Sequence, residues 1–315
     1  MKKVVTIGEI LVEIMAVEPG DGFREPIALV GPFPSGAPAI FIDQVAKLGH
    51  PCGIVSAVGS DDFGRVNLDR LAADGVDISA IAIDREVPTG SAFVRYRPDG
   101  NRDFVFNIKH AACGAIAPTA AARALIAEAG HVHVMGSSLF SPSVVDLVME
   151  AIAAVKARGG TVSFDPNVRK EILGLPGMSR ALSRVLADTD LFLPSGGELF
   201  LFAEAETEAE AVARILASGV KAVVVKAGAE GARYYDPAGT VSAPAFPVTE
   251  IDPTGAGDSF GAAFVVAWLA GVPAREALIG ANACGARAVT VKGPMEGTST
   301  TAERDAFLAA HGVAV

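Results

Sequence analysis

The seven residues D-P-T-G-A-G-D at 252–258 decide how this chain folds and works, and they run directly into the apolar segment S-F-G-A-A-F-V-V-A-W-L-A at 259–270. That segment has the composition of a buried helix. Gly255 and Gly257 let the backbone approach a ligand closely, because no Cβ intervenes. The unpaired N–H groups at a helix start favour an anion, and Asp258 adds a carboxylate that can accept a proton. The turn therefore suits phosphoryl transfer.

Two other interpretations of this turn remain open from the residues alone. An aspartate at a helix start often only caps the helix. Gly255, Gly257 and Gly261 also have the G-x-G-x-x-x-G spacing of some dinucleotide-binding turns. Such a turn needs a strand directly before it and an acidic residue at the end of the next strand, whereas the Asp-Pro pair at 252–253 interrupts the approach and Glu276 lies in a predicted helix. The sequence contains no G-x-x-x-x-G-K-[ST] stretch, which excludes Walker-type nucleotide sites.

Composition narrows the class of protein further. The chain has 315 residues, of which 50% are hydrophobic, and a formal net charge of −10. This acidic balance argues against nucleic-acid and anionic-membrane partners, since both need a basic surface. Its three cysteines show no C-x-x-C spacing, so neither a disulfide framework nor a zinc site is indicated. The N-terminal residues lack the apolar stretch of a secretory signal, and we expect a cytoplasmic protein.

Short apolar runs alternate with amphipathic segments along the whole chain. Such alternation predicts one α/β domain over 1–315, with a mostly parallel sheet covered by helices. The strands are predicted at 4–7, 53–58, 132–135, 161–164, 191–193 and 222–225, and a helix is predicted at 142–158. Two stretches break the rhythm: a Gly- and Pro-rich segment at 16–35, and a hairpin at 91–107 with Asp-Gly in its turn. They are surface loops or a small β flap.

The 252–258 stretch resembles the C-terminal signature of the ribokinase (PfkB) family of carbohydrate kinases. Other segments resemble the family along nearly the whole chain. V-K-A-G-A-E-G-A at 225–232 is similar to its nucleotide-side loop, and A-N-A-C-G-A at 281–286 to its adenosine-facing helix. F-D-P-N-V-R at 164–169 resembles a strand-end motif of its fructokinase and ketodeoxygluconate kinase branches, and T-G-S-A at 89–92 the start of a lid segment.

The resemblance implies a three-layer ribokinase-like fold with a β lid formed by about 9–36 and 87–111, a small sugar as substrate, ATP and Mg²⁺ as cofactors, and a homodimer joined through the lid. It also implies roles for individual residues. The catalytic candidates are Asp258 as base, with Gly255, Ala256 and Gly257 as anion hole. The nucleotide-side candidates are Lys226, Gly228, Gly231, Asn282 and Ser195, with Glu198 for the metal. The sugar-side candidates are Glu13, Gly36, Arg95, Arg97 and Arg169.

Three departures from the family pattern concern the sugar and the metal. Ile40 stands where the family has a sugar-binding Asn, Glu13 replaces a sugar-binding Asp, and Ser195 replaces the Asn of N-x-x-E while Glu198 is kept. A carboxylate on the substrate would be repelled by Glu13, which favours a neutral keto-hexose such as fructose or tagatose over 2-keto-3-deoxygluconate. A catalytically silent sugar-binding protein is the alternative from another class.

Several other residues have two interpretations each. His131 and His133 share a strand face and are either metal ligands or core histidines. Arg95 and Arg97 also share a strand face, and they either reach the substrate or lie on the surface of the lid. Arg169 follows a strand end, where it either contacts a ligand or forms a salt bridge. The Asp-Phe-Gly at 62–64 is read as a helix start, since no catalytic loop of the protein-kinase type precedes it.

Overall fold

Runs of valine and isoleucine form the strands of a large central sheet. The computed structural model describes residues 1–99, 101–168, 173–174 and 176–313. The strands are β1 (Lys3–Ile7), β2 (Leu11–Ala16), β3 (Leu29–Ser35), β4 (Cys52–Gly59), β5 (Ile81–Asp84), β6 (Gly90–Tyr96), β7 (Arg102–Asn107), β8 (Ala129–Met135), β9 (Thr161–Asp165), β10 (Leu191–Phe192), β11 (Ala222–Lys226), β12 (Ala232–Asp236) and β13 (Gly239–Ala243). The helices are α1 (Ala37–Lys47), α2 (Asp62–Ala73), α3 (Ala120–Glu128), α4 (Pro142–Ala157), α5 (Met178–Ala187), α6 (Glu208–Ala217), α7 (Ala256–Leu269), α8 (Ala274–Ala288) and α9 (Thr301–Ala310).

The central sheet has nine strands within the described ranges, in the order β13-β12-β11-β10-β9-β8-β1-β4-β5. Neighbours from β11 to β5 run parallel, whereas β12 and β13 are antiparallel to the strands beside them. A parallel sheet is stable when apolar layers cover both of its faces. Val223 and Val225 enter one hydrophobic core and Val224 enters the other, as strand alternation requires. The predicted three-layer fold with a mostly parallel sheet is confirmed.

The predicted elements match the structure closely. Helix α4 ends at Ala157, one residue before the predicted end, and buries Val144, Val148, Ile152 and Val155. The Asp-Phe-Gly stretch begins α2, whose first turn is capped by Asp61 accepting from the Gly64 N–H at 2.8 Å. The interpretation of this stretch as a helix start is thus confirmed.

The two histidines of β8 belong to the core. The nitrogens of His131 lie 2.8 Å from Thr161 Oγ1 and 2.7 Å from Ser163 Oγ, and the ring of His133 stacks on Phe41 at 3.6 Å. Burial lowers the pKa of His131 to about 3, so the ring is neutral. The described residues contain no cluster of three or more His, Cys, Asp or Glu side chains that could hold a metal. The core interpretation is confirmed.

A second, smaller sheet lies beside the first, with strand order β3-β2-β6-β7. Strands β6 and β7 form the predicted hairpin, β2 and β3 form a second antiparallel pair, and β2 joins the two pairs in parallel with β6. The 16–35 segment therefore supplies a strand rather than only a surface loop. No helix in the described part of the chain is long and apolar enough to cross a membrane.

Polar residues gather where the central strands end. Glu9 follows β1, Ser137 follows β8, and Asp165 and Lys226 are the last residues of β9 and β11. The carboxyl ends of parallel strands share one edge of the sheet, which is where α/β folds bind ligands. Residues far apart in sequence therefore meet there.

Candidate active site

The glycine turn before α7 has the geometry of an anion site. Gly255 lies just before the helix with φ of 83°, and a Cβ there would lie 2.3 Å from the Pro294 carbonyl oxygen. Only glycine tolerates both conditions. The first N–H groups of α7 have no partners within the helix, although the Ala256 N–H makes a long 3.5 Å contact with the Pro253 carbonyl. Asp258 lies inside the first helical turn, so it is not the N-cap residue.

Two clefts meet at this turn. The inner cleft, about 160 Å³, lies between the strand ends and the small sheet, and its walls include Glu9, Glu13, Gly36, Arg102, Asp165, Asn167, Ser195, Thr254, Gly255 and Asp258. The outer cleft, about 540 Å³, has walls that include Gly228, Gly231, Phe246, Phe260, Asn282 and Val289. Lys226, Pro253 and Gly257 line both clefts. The two clefts therefore share a wall formed by these three residues, next to Asp258 of the inner cleft.

The inner cleft has two buried carboxylates from the first residues of the chain. Glu9 accepts hydrogen bonds from Ser137 Oγ at 2.8 Å and Ser138 Oγ at 2.5 Å. Glu13 accepts from Ser35 Oγ at 3.0 Å. The predicted Gly36 has φ of 111°, and a Cβ there would lie 2.4 Å from the Glu9 carbonyl oxygen. Sequence reasoning found Glu13 and Gly36 but missed Glu9, whose position two residues after the end of β1 was the available signal.

Arg95 and Arg97, two of the three predicted arginines, are held by contacts outside the two clefts. Arg95 is 6% exposed and donates to the Gly22 carbonyl at 2.8 Å and to Glu25. Arg97 binds Asp103 at 2.6 Å. Neither side chain lines the inner or the outer cleft, because the 21–25 segment and β7 hold both of them. Binding of substrate by Arg95 or Arg97 stays a prediction, and these ion pairs do not support it. Arg169 lies outside the described residues.

Arg102, which sequence reasoning missed, lines the inner cleft. It pairs across the hairpin with Tyr96, and its guanidinium lies 3.3 Å from Thr254 Oγ1. The Tyr96 hydroxyl donates to Asp252, which also accepts from the N–H groups of Thr254 and Gly293, each at 3.0 Å. The small sheet thus contacts the glycine turn directly.

The outer cleft contains the predicted nucleotide-side residues. Gly228 and Gly231 have φ of 55° and 96°, and a Cβ on Gly231 would lie 2.1 Å from the Ala243 carbonyl oxygen. The Asn282 amide donates to the Ala243 and Pro244 carbonyls at 3.2 and 3.0 Å, so it shapes the wall of the cleft. Ser195, expected on this side, lines the inner cleft instead.

Lys226 and Asp165 form a buried ion pair at the junction of the clefts. Their side chains are 10% and 1% exposed. A Cβ added to Gly257 would lie 3.7 Å from Lys226 Nζ, so the ammonium faces the glycine turn. Nearby carboxylates outweigh burial and raise the pKa of Lys226, so it stays charged. Asp165 lies in the F-D-P-N-V-R motif at 164–169. Nothing in the sequence indicated that it pairs with Lys226, which is 61 residues away.

Glu198 interacts electrostatically with the ion pair of Lys226 and Asp165. Its carboxylate accepts from the Ser195 N–H at 2.7 Å and the Val168 N–H at 2.6 Å. Burial first, and then the charge of Asp165, raise the pKa of Glu198. This carboxylate is committed to two backbone donors, so it fits a metal bound mainly by phosphate oxygens and water better than a cage of protein ligands.

A covered parallel sheet, with paired clefts that meet at a glycine turn and a carboxylate, defines a small-molecule phosphotransferase. A model described as pfkB family carbohydrate kinase matches residues 1–301. The chain belongs to this family and is a carbohydrate kinase, an enzyme that phosphorylates a sugar hydroxyl. The ribokinase-like fold implied by the resemblance is confirmed.

Similar proteins carry several names. An E. coli protein with the provisional name ribokinase II is 52% identical, with a TM-score of 0.93 over 99% of this chain and 100% of that one. The same protein has been solved with ATP and Mg²⁺. A Thermoproteus tenax 2-dehydro-3-deoxygluconokinase is 32% identical over 98% of this chain and 95% of its own length. Fructokinase-1 of Oryza sativa is 30% identical over 95% of both.

Proposed function

We propose that this kinase transfers the γ-phosphoryl group of ATP, supplied with Mg²⁺, to a hydroxyl of a neutral keto-hexose such as fructose or tagatose. The observation that carries the proposal is the junction of the two clefts at the turn of Gly255, Gly257 and Asp258. The ATP- and Mg²⁺-bound structure of the 52% identical E. coli protein supports the choice of donor.

The residues at the junction suit an in-line displacement. With the sugar in the inner cleft, Asp258 accepts the hydroxyl proton while the sugar oxygen bonds to the γ-phosphorus and the bond to the leaving ADP oxygen breaks. Backbone N–H groups around Gly255, Ala256 and Gly257, together with Lys226, stabilise the negative charge on the phosphoryl oxygens. Mg²⁺ would neutralise charge on the triphosphate, and Glu198 would bind the water ligands of the metal.

A neutral sugar fits the charges of the inner cleft. Glu9 and Glu13 offer oxygen acceptors to sugar hydroxyls, and both are at most 5% exposed. A substrate carboxylate about 4 Å from either one would cost roughly 4 kcal/mol at an effective dielectric near 20. The fructokinase relatives support the same choice.

A sugar acid is the second candidate, and one relative and one residue favour it. The Thermoproteus tenax relative is named for a ketodeoxy acid. Arg102 lines the inner cleft and offers a bidentate partner for a carboxylate. Steady-state kcat/KM values for fructose and tagatose against 2-keto-3-deoxygluconate distinguish the two. A tenfold preference for the acid, about 1.4 kcal/mol, would show that the sugar is assigned wrongly while the kinase assignment stands.

The small sheet is proposed to act as a lid over the sugar and as the contact between two copies. Its edge strands expose Leu29 at 43%, Val30 at 36% and Val105 at 45%. Exposed apolar strands at a sheet edge favour pairing with another chain. Light scattering at micromolar concentration tests the dimer. A monomeric native protein would refute it, and Val105→Glu is expected to shift the dimer toward monomer.

A further inference from the structure

Asn167 has a backbone conformation that asparagine adopts at a cost. Its φ is 38°, and among the residues that the structure describes no other non-glycine residue has a positive φ. Left-handed conformations outside glycine cost of order 1–3 kcal/mol and persist where the surroundings enforce them, often at functional sites. The residue is half-buried at the end of β9, on the wall of the inner cleft.

Three contacts enforce this conformation. Asp165 Oδ1 accepts from the Asn167 N–H at 3.1 Å, and Glu198 accepts from the next N–H, that of Val168. The turn also packs against Gly136, where a Cβ would lie 2.1 Å from the Pro166 carbonyl oxygen. The turn is therefore held by carboxylates on one side and by close backbone packing on the other.

This backbone conformation brings the side chain of Asn167 within hydrogen-bonding distance of Asp258, the proposed base. Asn167 Nδ2 donates to Asp258 Oδ1 at 3.2 Å. Its other side-chain contact is a weak one with Met135 Sδ at 3.9 Å. The same Asp165 that holds the Asn167 backbone also forms the ion pair with Lys226. One strand end thus fixes both the candidate base and the ammonium at the junction of the clefts.

We propose that Asn167 is a positioning residue that fixes the rotation of the Asp258 carboxylate toward the sugar hydroxyl. This inference rests on the proposed role of Asp258 as base. An amide suits the task because it donates a hydrogen bond without adding a charge, whereas a second carboxylate would repel Asp258. Asparagine also tolerates the left-handed region better than other donors.

Two substitutions separate the amide from the backbone. Asn167→Gly keeps the left-handed conformation and removes the amide, and Asn167→Ala removes both. A base displaced by about 1 Å loses up to 10²-fold in rate. We therefore expect both variants to lose about 10- to 100-fold in kcat, with KM for ATP and for the sugar within about twofold of wild type. The inference is wrong if Asn167→Gly keeps the wild-type kcat, or if KM rises while kcat is unchanged.

A double-mutant cycle tests whether Asn167 acts through Asp258. Asn167→Gly combined with Asp258→Asn is expected to be no slower than Asp258→Asn alone, because the amide then has no base to position. Multiplicative losses would overturn the inference. If Asp258→Asn itself keeps more than about a third of kcat, the proposed base is wrong, which is a separate outcome. Thermal melting verifies that each variant folds. If Asn167→Gly or Asn167→Ala is unfolded, Asn167→Asp replaces it, and we expect its loss in kcat to be at least as large as the loss of about 10- to 100-fold expected for those variants.

Discussion

The ion pair between Lys226 and Asp165 gives a quantitative prediction for stability. Replacing Lys226 with Met leaves the Asp165 carboxylate buried, 1% exposed, without its cation. Breaking a buried pair from one side costs about 3–5 kcal/mol. For a 315-residue chain, an unfolding entropy of about 2.1 cal/mol/K per residue converts this cost into a fall in Tm of roughly 5–8 °C.

The assay is thermal unfolding monitored by calorimetry, and it includes two matched variants. Lys156→Met is the control, because its partner Asp190 also binds Lys221 at 3.0 Å and stays paired; it should change Tm by less than about 2 °C. Lys226→Met with Asp165→Asn removes both charges and should recover most of the lost stability while phosphoryl transfer stays slow. The reasoning is refuted if Lys226→Met melts within 2 °C of wild type, the change expected of an ordinary surface pair, or if the double variant is no more stable than the single one.

Two further predictions concern the proposed chemistry, and a third concerns the contact between the small sheet and the glycine turn. Asp258→Asn should bind ATP and sugar nearly normally by titration calorimetry but lose about 10²- to 10⁴-fold in kcat, and a variant above a third of wild type would contradict the role. Glu198→Gln should raise the Mg²⁺ concentration needed for half-maximal rate, whereas overlaid titrations of the two proteins would exclude a metal role. Tyr96→Phe removes a donor to the buried Asp252 and should destabilise the protein by about 1–3 kcal/mol, measured by urea unfolding; no change in midpoint would show that the hydrogen bond contributes nothing.

The sequence predicted the central scaffold because strand and helix periodicities are local properties. Val223 and Val225 alternate with Val224 within five residues, and the apolar face of α4 repeats within four turns. The glycine turn could also be predicted, because the missing Cβ of Gly255 and Gly257 is itself the signal for a close approach of the backbone to a ligand. These signals depend on residues that are close in sequence, so they can be interpreted without knowing which distant segments pack together.

The missed features are contacts between distant segments. Period-two spacing placed Arg95 and Arg97 on one strand face, but it could not tell which face the inner cleft occupies or that the 21–25 segment carries their acidic partners. Nor could spacing pair Asp165 with Lys226, because their proximity depends on the order of β9, β10 and β11 in the sheet. Such contacts follow from topology.

The contacts of Tyr96 with Asp252 and of Arg102 with Thr254 join the small sheet to the turn at which the nucleotide's phosphates are proposed to bind. Any shift of the sheet on sugar binding therefore changes the geometry offered to the second substrate. Thermodynamic linkage makes such an effect mutual: the factor by which sugar tightens nucleotide binding equals the factor by which nucleotide tightens sugar binding. The two clefts would then be coupled sites within a single chain, and a ligand bound in one cleft would change the affinity of the other cleft for its own ligand.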